Sequence, residues 1–341
     1  MEEFRRGGDL LNRPPHEANV AEQTEHSING GGLKFDYFSP NENHRFNVFA
    51  SAQHINRDSY YGPGDRDPLD AYGNTTDLNW MAGSQYVYSF GKCIFMPSDL
   101  TAGIEFNQDK LEDNMWGYNR TVDQKVNIGS AFLQNEWKND HWGFLIGGRL
   151  DKHNLIDHVI FSPRANLRYN PTENINLRFS YSSGFRAPQA FDEDLHVENV
   201  GGNVAMVELA DNLKEERSQS LSASADIYHR FGAFQVNFLV EGFYTKLSDV
   251  FALTDGEVVD GILTRTRHNA SGAQVMGLTL EGKMAYLNKI QVQAGVTLQQ
   301  SHYSKPHIWN KEAPAVKKMM RTPNTYGYFT ATYTPIKPLS I

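Results

Sequence analysis

Four arginines, Arg149, Arg164, Arg168 and Arg178, sit in stretches that alternate apolar and polar residues. A guanidinium fork holds a carboxylate or phosphate through two parallel hydrogen bonds, so four forks on one surface would gather anions. Tyr60, Tyr61, Trp116, Tyr118 and Trp309 lie in turn-rich segments, where a ring stacks on a flat ligand or anchors at a membrane interface. Asp65, Asp67 and Asp70 offer oxygens to calcium, but the spacing lacks a full ligand set and the glycine of an EF-hand, so solvated loop charge is the simpler reading. His16-Glu17 opens like a zinc-protease helix, yet Val20 stands where the second histidine belongs. Neither a Gly-x-Ser-x-Gly elbow nor a phosphate loop occurs. No catalytic residue, metal or cofactor is assigned, and the expectation is a protein that is not an enzyme.

The elements that must carry these residues are strands. In 173–188, Ile175, Leu177, Phe179 and Tyr181 share one face while Asn176, Arg178, Ser180 and Ser182 share the other. Phe234, Val236, Phe238 and Val240 likewise oppose Gln235, Asn237 and Glu241, and Ile290, Val292, Ala294, Val296 and Leu298 oppose Gln291, Gln293, Thr297 and Gln299. Short breaks at 39–43, 91–99, 138–141, 170–174, 229–233, 287–289 and 335–338 take turns with long ones near 61–76, 111–121, 151–159, 184–216, 246–271 and 303–321. This regularity predicts about thirteen strands in an up-and-down meander with tight turns at one end and long loops at the other. The second face carries Gln, Asn, Arg, Glu and Lys. A small closed barrel fills its interior with apolar side chains, so the polar face must line a wide lumen and the apolar face must meet lipid. The same alternation sends Arg149, Arg164, Arg168 and Arg178 to the lumen from three successive strands.

Composition agrees. The 341 residues are polar on average yet include 20 Phe, 16 Tyr and 5 Trp, which aromatic girdles would absorb. No window supplies the roughly 18 apolar residues of a membrane-spanning helix. A single cysteine, Cys93, excludes an intramolecular disulfide framework, and a net charge of -8 argues against nucleic acid.

The segments FSPRANLRYNPTENINLRFSYSSGFRAPQAFDEDL (161–195), DNLKEERSQSLSASADIY (211–228), NASGAQVMGLTLEGK (269–283) and RTPNTYGYFTATYTP (321–335) resemble, in order and spacing, the barrel of TonB-dependent outer-membrane receptors of the siderophore and cobalamin type. The resemblance covers essentially the whole chain. It implies an all-β, antiparallel, up-and-down transmembrane β-barrel, here a partial one of about thirteen of twenty-two strands. It implies residues 1–341 as one partial barrel domain with signal peptide, plug and closing strands absent, which would leave two unpaired sheet edges. It places the chain in the cell outer membrane of a Gram-negative bacterium. The partners it implies are outer-membrane lipid, a small nutrient ligand and, in full-length members, the plug and the TonB complex.

The function implied is energy-coupled import of a scarce nutrient such as an iron-siderophore complex or cobalamin. A passive porin-like channel is the alternative; an outer-membrane hydrolase and a soluble all-β binding protein rank lower. In this setting Arg149, Arg164, Arg168 and Arg178 contact the plug or the ligand, and Tyr60, Tyr61, Trp116, Tyr118 and Trp309 are loop residues for ligand contact. Gly184-Phe185-Arg186-Ala187-Pro188 is expected to set Phe185 in an aromatic belt, reach lipid head groups with Arg186 and stop the ladder at Pro188.

Overall fold

The computed structural model describes residues 2–7, 12–18, 21–62, 67–197, 204–259, 261–287, 289–308, 314–319 and 322–334. β1 (Glu2–Gly7) is followed by β2 (Ala21–Phe38), β3 (His44–Gly62), β4 (Tyr72–Cys93), β5 (Met96–Met115) and β6 (Arg120–Lys138). Shorter strands come next: β7 (Trp142–His153), β8 (Ile160–Thr172) and β9 (Ile175–Arg186), then the one-turn α1 (Asp192–Leu195) and β10 (Val204–Leu209). The rest comprises β11 (Glu216–Phe231), β12 (Phe234–Ser248), β13 (Phe251–Val259), β14 (Ile262–Asn269), β15 (Ala273–Tyr286), β16 (Ile290–His307), β17 (Val316–Lys318) and β18 (Thr325–Tyr333).

Among the described residues fifteen strands form one antiparallel meander in which each long strand pairs with the next, and β10, β14 and β13 form a separate small sheet. Within the large sheet, thirteen strands have nine or more residues, the number that the alternation predicts. Among the described residues the sheet does not close on itself. No helix among them is long and apolar enough to cross a membrane.

Register keeps the two faces separate across the sheet. Val236 lies opposite Met284 and Met284 opposite Val292, while Asn237 lies opposite Lys283 and Lys283 opposite Gln293. The apolar face is bare: Leu33 is 82%, Ile104 63% and Phe329 69% exposed. An apolar surface this extensive is stable only against lipid. Its edge at the tight turns carries Trp137, Trp142, Phe144 and Tyr169, with Trp142 stacked 4.1 Å from Tyr169.

The tight turns are built from side chains that mimic backbone acceptors. Asn139 Oδ1, for example, accepts from the backbone N–H of His141 at 2.9 Å and of Trp142 at 2.7 Å. At the other end one predicted break is corrected. Residues 111–115 and 120–121 are strand, with Leu111 opposite Gln124 and Met115 opposite Arg120, so only 116–119 turn. β2 to β6 run 18–22 residues, roughly twice the 9–11 needed to cross a bilayer. Their outer halves stand clear of the membrane, and the loops pack there.

Candidate functional site

Among the described residues, the larger of two buried apolar clusters lies at the long-loop end. Ala18, Ala21, Tyr60, Tyr61, Ala71, Met115, Tyr118, Val197 and Met206 form it. Asp67 caps the turn Pro68–Ala71 by accepting from the N–H of Leu69 at 3.0 Å. Gly117 then comes so close to the Asp70 carbonyl that a side chain there has no room. Tyr118 donates its hydroxyl to the Tyr61 carbonyl, and Tyr60 meets Tyr72 edge to face at 4.8 Å. Burial pushes the Tyr60 phenol up to about 12.

Two long loops are drawn over this core. The segment after β9 crosses the polar face to reach β6, β3 and β2, three to seven places away in the sheet. Arg120 of β6 donates to the Leu195 carbonyl at 2.7 Å and to Asp113 Oδ2 at 2.8 Å. Asp113, 1% exposed, also accepts from Thr75 at 2.6 Å and faces Arg57 at 3.8 Å. Asp194 of α1 pairs with Arg267 of β14 at 2.5 Å. β10 runs parallel to β14, from Val204 opposite Ile262 to Leu209 opposite Arg267, so the loop after β9 and the loop after β12 form one cap.

The Gly-Phe-Arg-Ala-Pro stretch is corrected in one respect. β9 ends at Arg186 before Pro188, which has no N–H to offer the ladder, but Arg186 does not reach for head groups. It lies on the polar face opposite Glu216, and its guanidinium sits over the rings of Phe191 at 4.1 Å and Phe251 at 5.5 Å. Parity decides this: Arg186 is eight residues from Arg178 and shares its face.

Beside the cap, His153 is fully buried. Its Nδ1 accepts from the Leu155 N–H at 3.0 Å and its Nε2 lies 3.3 Å from Gln189 Oε1, so the neutral ring with hydrogen on Nε2 satisfies both contacts. Burial holds its pKa below the ordinary histidine range, against the Gln189 contact. Glu215 faces burial that would raise its carboxyl, but the Arg217 hydrogen bonds and charge outweigh it and hold the group low.

Below the cap, the polar face has a recess of about 470 Å³ lined by Glu105, Asn107, Arg149, Asp151, Ser162 and Gly184 among others. Arg149 is engaged there: it bonds Asp151 Oδ1 at 2.7 Å, Glu105 at 2.9 Å and Ser130 at 2.7 Å. Register places all four predicted arginines on one face. Arg164 donates to Gln134, Arg168 to the Asn139 and Trp142 carbonyls, and Arg178 to Asn176. The four are neighbours on one wall with different partners.

Of the predicted loop rings, Tyr60, Tyr61 and Tyr118 are 1%, 4% and 2% exposed, whereas Trp116 is 67% exposed. Trp309 and Asp65 lie outside the described residues. Among the described residues, no three His, Cys, Asp or Glu side chains converge to hold a metal. Sequence reasoning missed Arg57, Asp113, Arg120, Asp194 and Arg267. Each is an ordinary polar-face or loop charge, and only the loop path brings them together.

A search of curated proteins finds none that matches the chain. Among solved structures, the siderophore receptor PirA from Pseudomonas aeruginosa aligns with a TM-score of 0.66 at 14% identity, over 94% of this chain and 61% of that one. The alcaligin outer membrane receptor FauA from Bordetella pertussis aligns at 0.59 and 15% identity, over 93% and 54%. A double mutant of the Serratia marcescens hemophore receptor HasR, in complex with its hemophore HasA and heme, aligns at 0.71 and 13% identity, over 92% and 57%. The chain thus spans between about half and three fifths of these structures, and the passive-channel alternative gains no support from them. The family model of the TonB dependent receptor-like β-barrel matches residues 5–339. On that match the chain belongs to the TonB-dependent receptor β-barrel family, whose place is the outer membrane of Gram-negative bacteria.

Proposed function

We propose that the chain forms wall and mouth of a receptor that imports a scarce nutrient, of the class of iron-siderophore complexes or cobalamin, with energy supplied through TonB. The observation that carries this is the single cap built from two long loops over the polar face, because a passive pore gains nothing from a mouth held by buried ion pairs. In this reading the cap gathers the ligand, with exposed Trp116 at its rim as the ring available for stacking. Tyr60, Tyr61 and Tyr118 support the cap from within, and Arg149, Arg164, Arg168 and Arg178 meet the plug or the ligand in the lumen. The thirteen long strands are the partial barrel domain, and plug and TonB are its partners in the whole receptor.

Uptake tests this. A strain deleted for the gene is supplied with single radiolabelled ferric siderophores, ferric citrate, heme or cobalamin as sole source, with and without the proton gradient. The expected result is loss of uptake for one compound class, restored by the gene and abolished by uncoupler. Uptake unchanged for every class, or insensitive to uncoupler, would overturn the proposal.

A further inference from the structure

Arg168 of β8 and Arg178 of β9 stand directly opposite each other in register, both on the polar face. Opposed residues in an antiparallel pair have Cα atoms about 4.5–5.5 Å apart, and like charges so placed repel. Neither makes an ion pair among the described residues, in contrast to Arg149 with its two carboxylates. Their acceptors are neutral: the carbonyls of Asn139 at 2.8 Å and Trp142 at 3.5 Å for Arg168, and Asn176 Oδ1 at 2.7 Å for Arg178. Among the described residues, Arg168 Nε is buried and meets no acceptor. On its other side stands Gly143, where an added Cβ would lie 3.3 Å from that Nε, so the Arg168 side chain passes over bare backbone.

We infer that Arg168 and Arg178 form a carboxylate cradle on the polar face near the tight-turn end of the sheet. Two forks with neutral partners leave N–H groups for a planar two-oxygen acceptor, and an anion between them converts repulsion into two charge-assisted contacts. Arg178 is exposed and Arg168 half-buried, so the cradle is open to the lumen. Carboxylate is the shared chemistry of two sources, an Asp or Glu side chain of a polypeptide seated in the lumen and a free dicarboxylate solute. The inference rests on the polar face lining the lumen, as in the proposed function, and not on which nutrient is carried.

The full chain folded in detergent micelles is titrated calorimetrically with succinate and, separately, with a capped Gly-Glu-Gly peptide, at ionic strength held constant with sodium chloride. Saturable binding is expected, weakened about ten-fold by Arg168→Gln and by Arg178→Gln. Binding of the peptide alone assigns the cradle to a polypeptide side chain; binding of succinate as well assigns it to free solutes too. Heating gives a second readout: without carboxylate, Arg178→Gln should raise the unfolding midpoint, because the opposed charge is gone. Heats no larger than those of sodium chloride, variants that bind like wild type, or a lowered midpoint for Arg178→Gln would overturn the inference. Titration needs no transport, so a failed uptake assay leaves the cradle standing, and a failed titration leaves the import proposal standing.

Discussion

Asp113 is buried between Arg57 and Arg120 while Thr75 donates to it, and through Arg120 it is tied to the Leu195 carbonyl of the cap. Removing one partner of a buried ion pair strands the rest in low dielectric, so Asp113→Ala should cost about 3–5 kcal/mol in denaturant unfolding. Gly117→Ala places a methyl group against the Asp70 carbonyl and should cost about 1–3 kcal/mol, with amide exchange rising first around 67–72. His153 and Glu215 give the cap a pH dependence of known sign. The lowered His153 pKa means that the unfolded chain takes up a proton first as pH falls through about 6.5, so its contribution is intact above that value and is lost below it. The lowered Glu215 pKa adds stability that is present above about 4.5 and lost as pH falls through its folded value. Amide protection at 153–159 and 187–190 should therefore drop between pH 7 and 5 and that at 213–217 only in more acidic solution. Protection that rises on acidification would contradict both assignments.

At the scale of elements, the cap and the wall differ in what holds them. The wall is ladder hydrogen bonds between strands that are neighbours in sequence, whereas the cap depends on contacts across several strands. Met206 of β10 is buried in the core with Tyr61 and Val197. Met206→Ala should cost about 2–5 kcal/mol. Limited proteolysis should then cut 187–215 early while β2 to β9 stay protected, and simultaneous loss of both would show that cap and wall unfold as one unit.

At the scale of the whole molecule, the test is which face meets lipid. Trp80, Trp137 and Trp142 lie on the apolar face, while Trp116 stands on the loop end. Chain variants keeping one tryptophan each, reconstituted in brominated lipid, should show strong quenching for Trp137 and Trp142, weaker quenching for Trp80 in the outer half of β4, and little for Trp116. Equal quenching of all four would refute the assignment of faces.

Period-two alternation and the rhythm of turns determine the strands, their count, their order and their two faces, since each depends on neighbours within a few residues. That is why Arg149, Arg164, Arg168 and Arg178 could be placed on one surface from the sequence alone. The same local logic failed at 111–121, where charged residues read as a loop but the ladder continues because β4 and β6 are there to pair with β5. Nor does local logic show that the rings of Tyr60, Tyr61 and Tyr118 turn into a core that also takes in Val197 and Met206 from the loop after β9. Whether an arginine is neutralised, as Arg149 is, or left facing another, as Arg168 faces Arg178, depends on cross-strand register. Register and loop path are tertiary quantities, set by which strands become neighbours and not by any one strand's composition.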